Sequence, residues 1–119
     1  MTTRETLDRW MDAYRVAWTS NDPDDIRALF AEDGSYRFHP YDEPTVGHEA
    51  IVAAWLESRD EEGTWNFEWT PLALDGDRAI IEGRTGYPGE TDYRNLWVID
   101  FAGDGRATSF TEWFMAEPS

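Results

Sequence analysis

The hydrophobic period of this chain changes halfway along, and that change limits what it can fold into. In "TWNFEWTPLAL" Trp65, Phe67 and Trp69 fall on one side and Asn66, Glu68 and Thr70 on the other, the alternation of a half-buried strand. "LDGDRAI" follows with an Asp-Gly pair, a strong hairpin signal. "RAIIEGRTGY", "YRNLWVIDF" and "RATSFTEWFM" then read as further strands, separated by turns at "PGETD" and "AGDG". The first half keeps a helical period instead. Leu7, Trp10, Met11, Tyr14 and Trp18 form one apolar stripe, with Thr2 and Glu5 placed as a capping box. Asp22 and Pro23 suit the start of a short second helix carrying Ile26, Leu29 and Phe30. "AEDGS" ends it, "YRFH" is a short strand stopped by Pro40, and "YDEPTVG" is a loop. "HEAIVAAWLESRD" is a third helix with Ile51, Ala54 and Trp55 turned inward. Helices first and long strands afterwards predict an α+β fold rather than alternating βαβ units. Repeats and low-complexity tracts are absent, so residues 1–119 are expected to form one domain.

Charge narrows the partners. The formal net charge is −15, from 25 acids against ten arginines with no lysine. A surface of that sign repels phosphate backbones and anionic lipid, so neither nucleic acid nor a membrane is an expected partner. Zero cysteines exclude a disulfide framework, a thiol nucleophile and a Cys-built zinc site. No run of apolar residues is long enough to span a bilayer and no signal peptide is visible, so a cytoplasmic protein is expected. Seven Trp, five Tyr and six Phe are a heavy load for 119 residues. Rings of this kind serve cores, interfaces and ligand pockets alike.

The order of elements, together with "DIRALFAEDGSY", "PTVGHEAIVAAW" and "GDGRATSFTEW", resembles the SnoaL-like family of the nuclear transport factor 2-like superfamily, which includes ketosteroid isomerases and polyketide cyclases. The resemblance covers the whole chain. It implies a cone in which a strongly curved antiparallel sheet wraps around three N-terminal helices and leaves a pocket at its open end. In ketosteroid isomerases a tyrosine late in the first helix donates to the developing oxyanion, and Tyr14 stands at the matching place. Their general-base aspartate directly precedes a proline, where this chain has His39 before Pro40. Their second oxyanion donor falls where this chain has Trp97.

Candidate site residues follow from both lines. His39 carries an imidazole, which in its neutral form can accept a proton. Phe110, Glu112 and Phe114 share a face of the last strand with Thr108, and Glu112 either titrates in a pocket or pairs with an arginine across the sheet. Tyr93, Asn95, Trp97, Ile99 and Phe101 share a face of the preceding strand, where Asn95 suits an oxygen of a ligand. The expected catalytic set is therefore His39, Glu112 and Tyr14, with Trp18, Trp55, Asn95, Trp97, Phe110 and Phe114 around the substrate. No cofactor or metal is expected. His39, Asp42, Glu43 and His48 have suitable ligand types without a metal-site spacing, and His48 is expected to face solvent. Two functions stay open. One is a cofactor-independent isomerase, lyase or cyclase acting by acid–base catalysis on a small, mostly apolar, oxygen-bearing molecule. The other is a non-catalytic ligand-binding or dimerisation module, paired as a homodimer through the outer sheet face.

Overall fold

A computed structural model describes residues 2–59 and 63–118. Helix α1 runs Arg4–Ser20, α2 Pro23–Arg27 and α3 His48–Glu57. Six strands, β1 Phe30–Arg37, β2 Thr45–Val46, β3 Asn66–Asp75, β4 Arg78–Gly86, β5 Tyr93–Phe101 and β6 Ala107–Ala116, make one curved, unclosed sheet in the order β2-β1-β6-β5-β4-β3. Every neighbouring pair is antiparallel except β1 with β6, which run parallel. The curved sheet is thus antiparallel as the resemblance implied, apart from this one parallel pair. The long connection from β1 through α3 and the meander returns the chain beside its own first strand.

Three shifts of register bend this sheet, between Phe30 and Ser35, between Pro71 and Ala73, and between Asp100 and Phe101. Extra residues on one strand of a pair kink it and increase its twist. Pro71 is accommodated because β3 is an edge strand, where one missing N–H costs no ladder bond on the open side. The first shift sits in "AEDGS", which continues β1 as a bulged strand where the sequence suggested a break. Gly34 lies at its centre. A Cβ there would stand 3.0 Å from the carbonyl oxygens of both Ala31 and Ala107, so only glycine lets β1 approach β6 at this point.

Helix α1 lies across the concave face. Leu7, Trp10, Met11 and Tyr14 are buried as the stripe predicts, Ala17 is buried with them, and Trp18 at the end of the stripe is half-buried. Trp10 meets Phe30, Phe101 and Phe110, and its Nε1 donates to the Leu29 carbonyl oxygen at 2.9 Å. The cap differs by one residue from the expected box. Thr3 accepts from the Thr6 N–H at 3.1 Å, whereas Thr2 is buried, its N–H donating to the Gly76 carbonyl in the β3–β4 turn. A tertiary contact with the hairpin has taken Thr2 away from the helix end. Asp22 caps α2 as read, accepting from the Asp24 N–H at 2.8 Å. His48 does not face solvent: its Nε2 lies 2.8 Å from the Phe30 carbonyl oxygen and ties α3 to the start of β1.

Among the described residues no helix is long and apolar enough to cross a membrane. Gly34→Ala should cost about 1–3 kcal/mol, the usual penalty for adding a methyl group to a tightly packed position. Chemical denaturation with the slope unchanged and the midpoint lowered would show it.

Candidate functional site

Where the sheet curls past the C-terminal end of α1, the packing stops short of filling the cone. A cavity of about 440 Å³ remains. Its walls come from six places: Tyr14 and Trp18 on α1, Tyr36 and Phe38 on β1 and just beyond it, Trp55 on α3, Thr85 and Tyr87 at the end of β4, Tyr93 and Asn95 on β5, and Glu112 and Phe114 on β6. Ser58, Arg59, Glu90 and Thr91 complete the lining from the loops, Arg59 and Glu90 being exposed. A concave, largely apolar site of this size with a few polar groups is what small-molecule sites look like.

Each wall residue gets its orientation from local rules. Tyr14 and Trp18 are one helical turn apart. Tyr93 and Asn95 are two apart on β5, as are Glu112 and Phe114 on β6, while Tyr36 lies on β1 and Phe38 follows just past its end. The rings stand at steep angles to one another: Tyr14 to Trp55 at 72°, Tyr36 to Trp55 at 66°, Tyr93 to Phe114 at 80°. Edge-to-face contacts of this kind are favourable pairings and leave ring faces turned to different directions.

Polar groups converge on Glu112. Trp97 Nε1 donates to its Oε2 at 2.7 Å and Asn95 Nδ2 donates to the same oxygen at 2.8 Å. Asn95 Oδ1 accepts in turn from Thr85 Oγ1 at 2.8 Å, so the amide is held at both ends. Register explains the cluster, since Trp97 and Glu112 are direct partners on β5 and β6, and Gly83 on β4 pairs with Asn95. Of the two partners left open for Glu112, the structure thus selects the buried indole and amide rather than an arginine. Among the described residues no donor reaches Oε1. Burial pushes the Glu112 carboxyl above its ordinary range, against the two donors, which pull it down.

Tyr36, absent from the expected set, completes the polar group. Burial holds its hydroxyl well above the usual tyrosine range, with Tyr14, Glu112 and a hydrogen bond to the Tyr14 side chain acting in the same direction. It therefore stays protonated. Tyr14, Tyr36 and Glu112 thus sit within electrostatic reach of one another. The strand alternation in "YRF" carried the signal for Tyr36 and Phe38, masked because both read equally well as core.

Not every expected residue lines this cavity. Tyr14, Glu112, Trp18, Trp55, Asn95 and Phe114 do; Trp97 and Phe110 are fully buried beneath it. Trp97 nonetheless reaches the site through its indole N–H. His39 stands elsewhere. It lines a separate groove with Pro40, Tyr41, Arg94, Leu96, Trp113 and Met115, edge-on to Phe114 with ring centres 5.7 Å apart. The cause is parity: Phe38 is the last β1-side residue to turn inward, and His39 follows it by one. Phe114 borders both spaces. A metal is not indicated by clustering, since no group of three His, Cys, Asp or Glu is placed to hold one among the described residues.

A six-stranded curved sheet holding helices on its concave side, with a pocket at the open end, defines an α+β protein of the cystatin-like, nuclear transport factor 2-like class. The chain belongs to the SnoaL-like domain family, whose sequence model matches residues 8–110. No curated protein matches it. Among solved structures it is similar to an NTF-2-like protein of unknown function from Burkholderia xenovorans, with a TM-score of 0.75 and 17% identity, covering 97% of this chain and 87% of that one. A protein with a ketosteroid isomerase-like fold from Catenulispora acidiphila, in complex with trimethylamine, has a TM-score of 0.68 at 24% identity, covering 94% and 86%. A steroid delta-isomerase from Pseudomonas aeruginosa has a TM-score of 0.65 at 17% identity, covering 99% and 84%.

The raised Glu112 pKa fixes the sign of a stability effect. Below the ordinary carboxyl range the group is protonated in both folded and unfolded chains and costs nothing. As pH rises from that range toward the higher folded value, the unfolded chain ionises while the buried group stays protonated, and the penalty grows until the group is ionised in both. Glu112→Gln should therefore melt at a higher temperature than the parent at neutral pH, with the gain vanishing at acid pH; melts across a pH series test this. Trp97→Phe removes one donor to the carboxylate and should raise the Glu112 pKa further, read by carboxyl carbon NMR titration.

Proposed function

We propose that this cavity is a small-molecule site in which Glu112 moves a proton and the Tyr14–Tyr36 hydroxyl pair binds an oxygen of a compact, mostly apolar ligand. The observation that carries the reading is the arrangement on Glu112: two buried donors occupy Oε2, and among the described residues no donor takes Oε1. A carboxyl displaced toward neutrality both accepts and returns a proton readily. A single such group suffices for a shift of hydrogen between two atoms of one substrate, taking the proton from one and delivering it to the other. The developing negative charge on a carbonyl oxygen would meet the Tyr14–Tyr36 pair, of which Tyr36 is held protonated by burial. Isomerase, lyase or cyclase chemistry fits that division of labour, and family membership raises it above other reactions.

The placement of His39 favours a second reading, a binding module without turnover. With the imidazole outside the wall, the cavity holds one titrating carboxylate at its centre instead of an acid–base pair. Trimethylamine in the Catenulispora acidiphila relative supports occupancy of such folds by small molecules. An assay against a panel of small ketones and epoxides separates the readings. Glu112→Gln should lower turnover by about 100-fold or more. His39→Ala discriminates further, because an equal loss there restores the paired mechanism expected from the sequence. Binding without turnover of any panel member selects the module.

The outer sheet face supports a homodimer. Leu96 pairs with Trp113 across β5 and β6, and Met115 continues the strip. Trp113 is 49% exposed and Met115 74%, apolar side chains that a partner surface would cover. Arg84 and Arg94, both bound to Glu117, give this strip a charged margin. Sedimentation at micromolar concentration should report a dimer, and Trp113→Glu a monomer.

A further inference from the structure

The same cavity has a chemical bias that its size and its carboxylate do not express by themselves. Eight of its lining side chains are aromatic: Trp18, Trp55, Tyr14, Tyr36, Phe38, Tyr87, Tyr93 and Phe114. Their polar companions in the interior are a carboxylate, an amide and hydroxyls. The chain contains no lysine, and the arginine in the lining, Arg59, is exposed at the mouth opposite an exposed Glu90. Aromatic faces carry negative potential and attract cations, most of all in a desolvated setting. Neighbouring rings of the lining meet at steep angles, Tyr14 with Trp55 at 72° and Tyr87 with Tyr93 at 89°, while Tyr14 and Tyr36 each stack on Phe110 and Trp18 stacks on Trp65. An anion placed here would face Glu112 and ring faces together, with no interior cation among the described residues to balance it.

Resting on the reading of this cavity as the small-molecule site, we propose that its ligand is an organic cation: a tertiary or quaternary ammonium head enclosed by the aromatic walls beside Glu112, on a compact body bearing an oxygen. The ammonium pairs with the carboxylate at Oε1, the oxygen that no donor among the described residues reaches. Its methyl groups fill an apolar box that a strongly hydrated metal ion or primary ammonium would fill poorly. The oxygen of the ligand meets the Tyr14–Tyr36 pair. A cation also keeps Glu112 ionised, the state in which it accepts a proton. The overall charge of −15 acts in the same direction by raising the local concentration of cations.

Three probes of one shape and different charge test this: choline, its uncharged isostere 3,3-dimethylbutan-1-ol, and the anion 3,3-dimethylbutanoate. Binding is followed by calorimetry and by the indole N–H resonance of Trp97, which reports on Glu112 directly. Choline should bind about tenfold more tightly than the alcohol, and the anion most weakly. Glu112→Gln should shrink the preference severalfold, leaving what the aromatic walls supply, and Arg59→Glu, made at the exposed mouth, should strengthen choline binding. If the alcohol shifts the Trp97 resonance as tightly as choline does, or the preference is undiminished in Glu112→Gln, the assignment of a cation beside Glu112 is overturned while the pocket stands. If none of the three probes disturbs the resonances of the cavity residues, both the assignment and the pocket reading fall.

Discussion

The seating of α1 in the concavity of the sheet is the contact on which everything else depends. Trp10 fills the closed end of the cone against Phe101 and Phe110, and Tyr14, one turn later, reaches Trp97, Phe110, Phe67 and Trp55. Rings of that size bury large apolar areas and stack only in a few geometries, so the helix cannot slide without losing several contacts together. Because the sheet diverges from the helix toward its C-terminal end, the same stripe that packs the core at Leu7 and Trp10 becomes a cavity wall at Tyr14 and Trp18. Core and site are two ends of one surface.

Placing a carboxylate at the boundary between those ends is costly, and the surrounding structure limits the cost. Glu112 loses water but gains the Trp97 indole and the Asn95 amide, with Thr85 fixing the amide in turn. Burial raises the pKa and the donors lower it. The outcome is a group held in a defined orientation with its proton affinity displaced, the usual condition of a residue that transfers protons or binds charge. Trp97 shows that a fully buried core residue and a site residue need not be distinct. Its ring belongs to the core, and only its N–H serves the site.

The cavity and the outer face meet at Phe114, which borders both the pocket and the groove of His39. Any subunit contact formed over Trp113 and Met115 would therefore press on the far side of the cavity wall. β6 alternates between these two environments residue by residue, with Glu112 and Phe114 toward the pocket and Trp113 and Met115 toward the outer face. One strand thus carries both surfaces.

Much of this was written in local periodicities. The stripe of α1, the alternation of β3 to β6 and the Asp-Gly hairpin depend on neighbours within a few residues, so the sequence alone determined the α+β order, and shared strand faces already placed Asn95, Glu112 and Phe114 together. Tertiary structure decided what depends on distant partners. Thr2 left the helix cap for the β3–β4 turn, "AEDGS" became a bulged strand because it could pair with β6, and β1 came to run parallel to the last strand. His39 and Tyr36 show the limit most clearly. A histidine before proline and a tyrosine in a short strand look alike as candidates in one dimension, but strand parity and the bend of the sheet turned one out of the cavity and the other into it. Period is a local property of the chain; enclosure depends on how distant strands curve around a shared space.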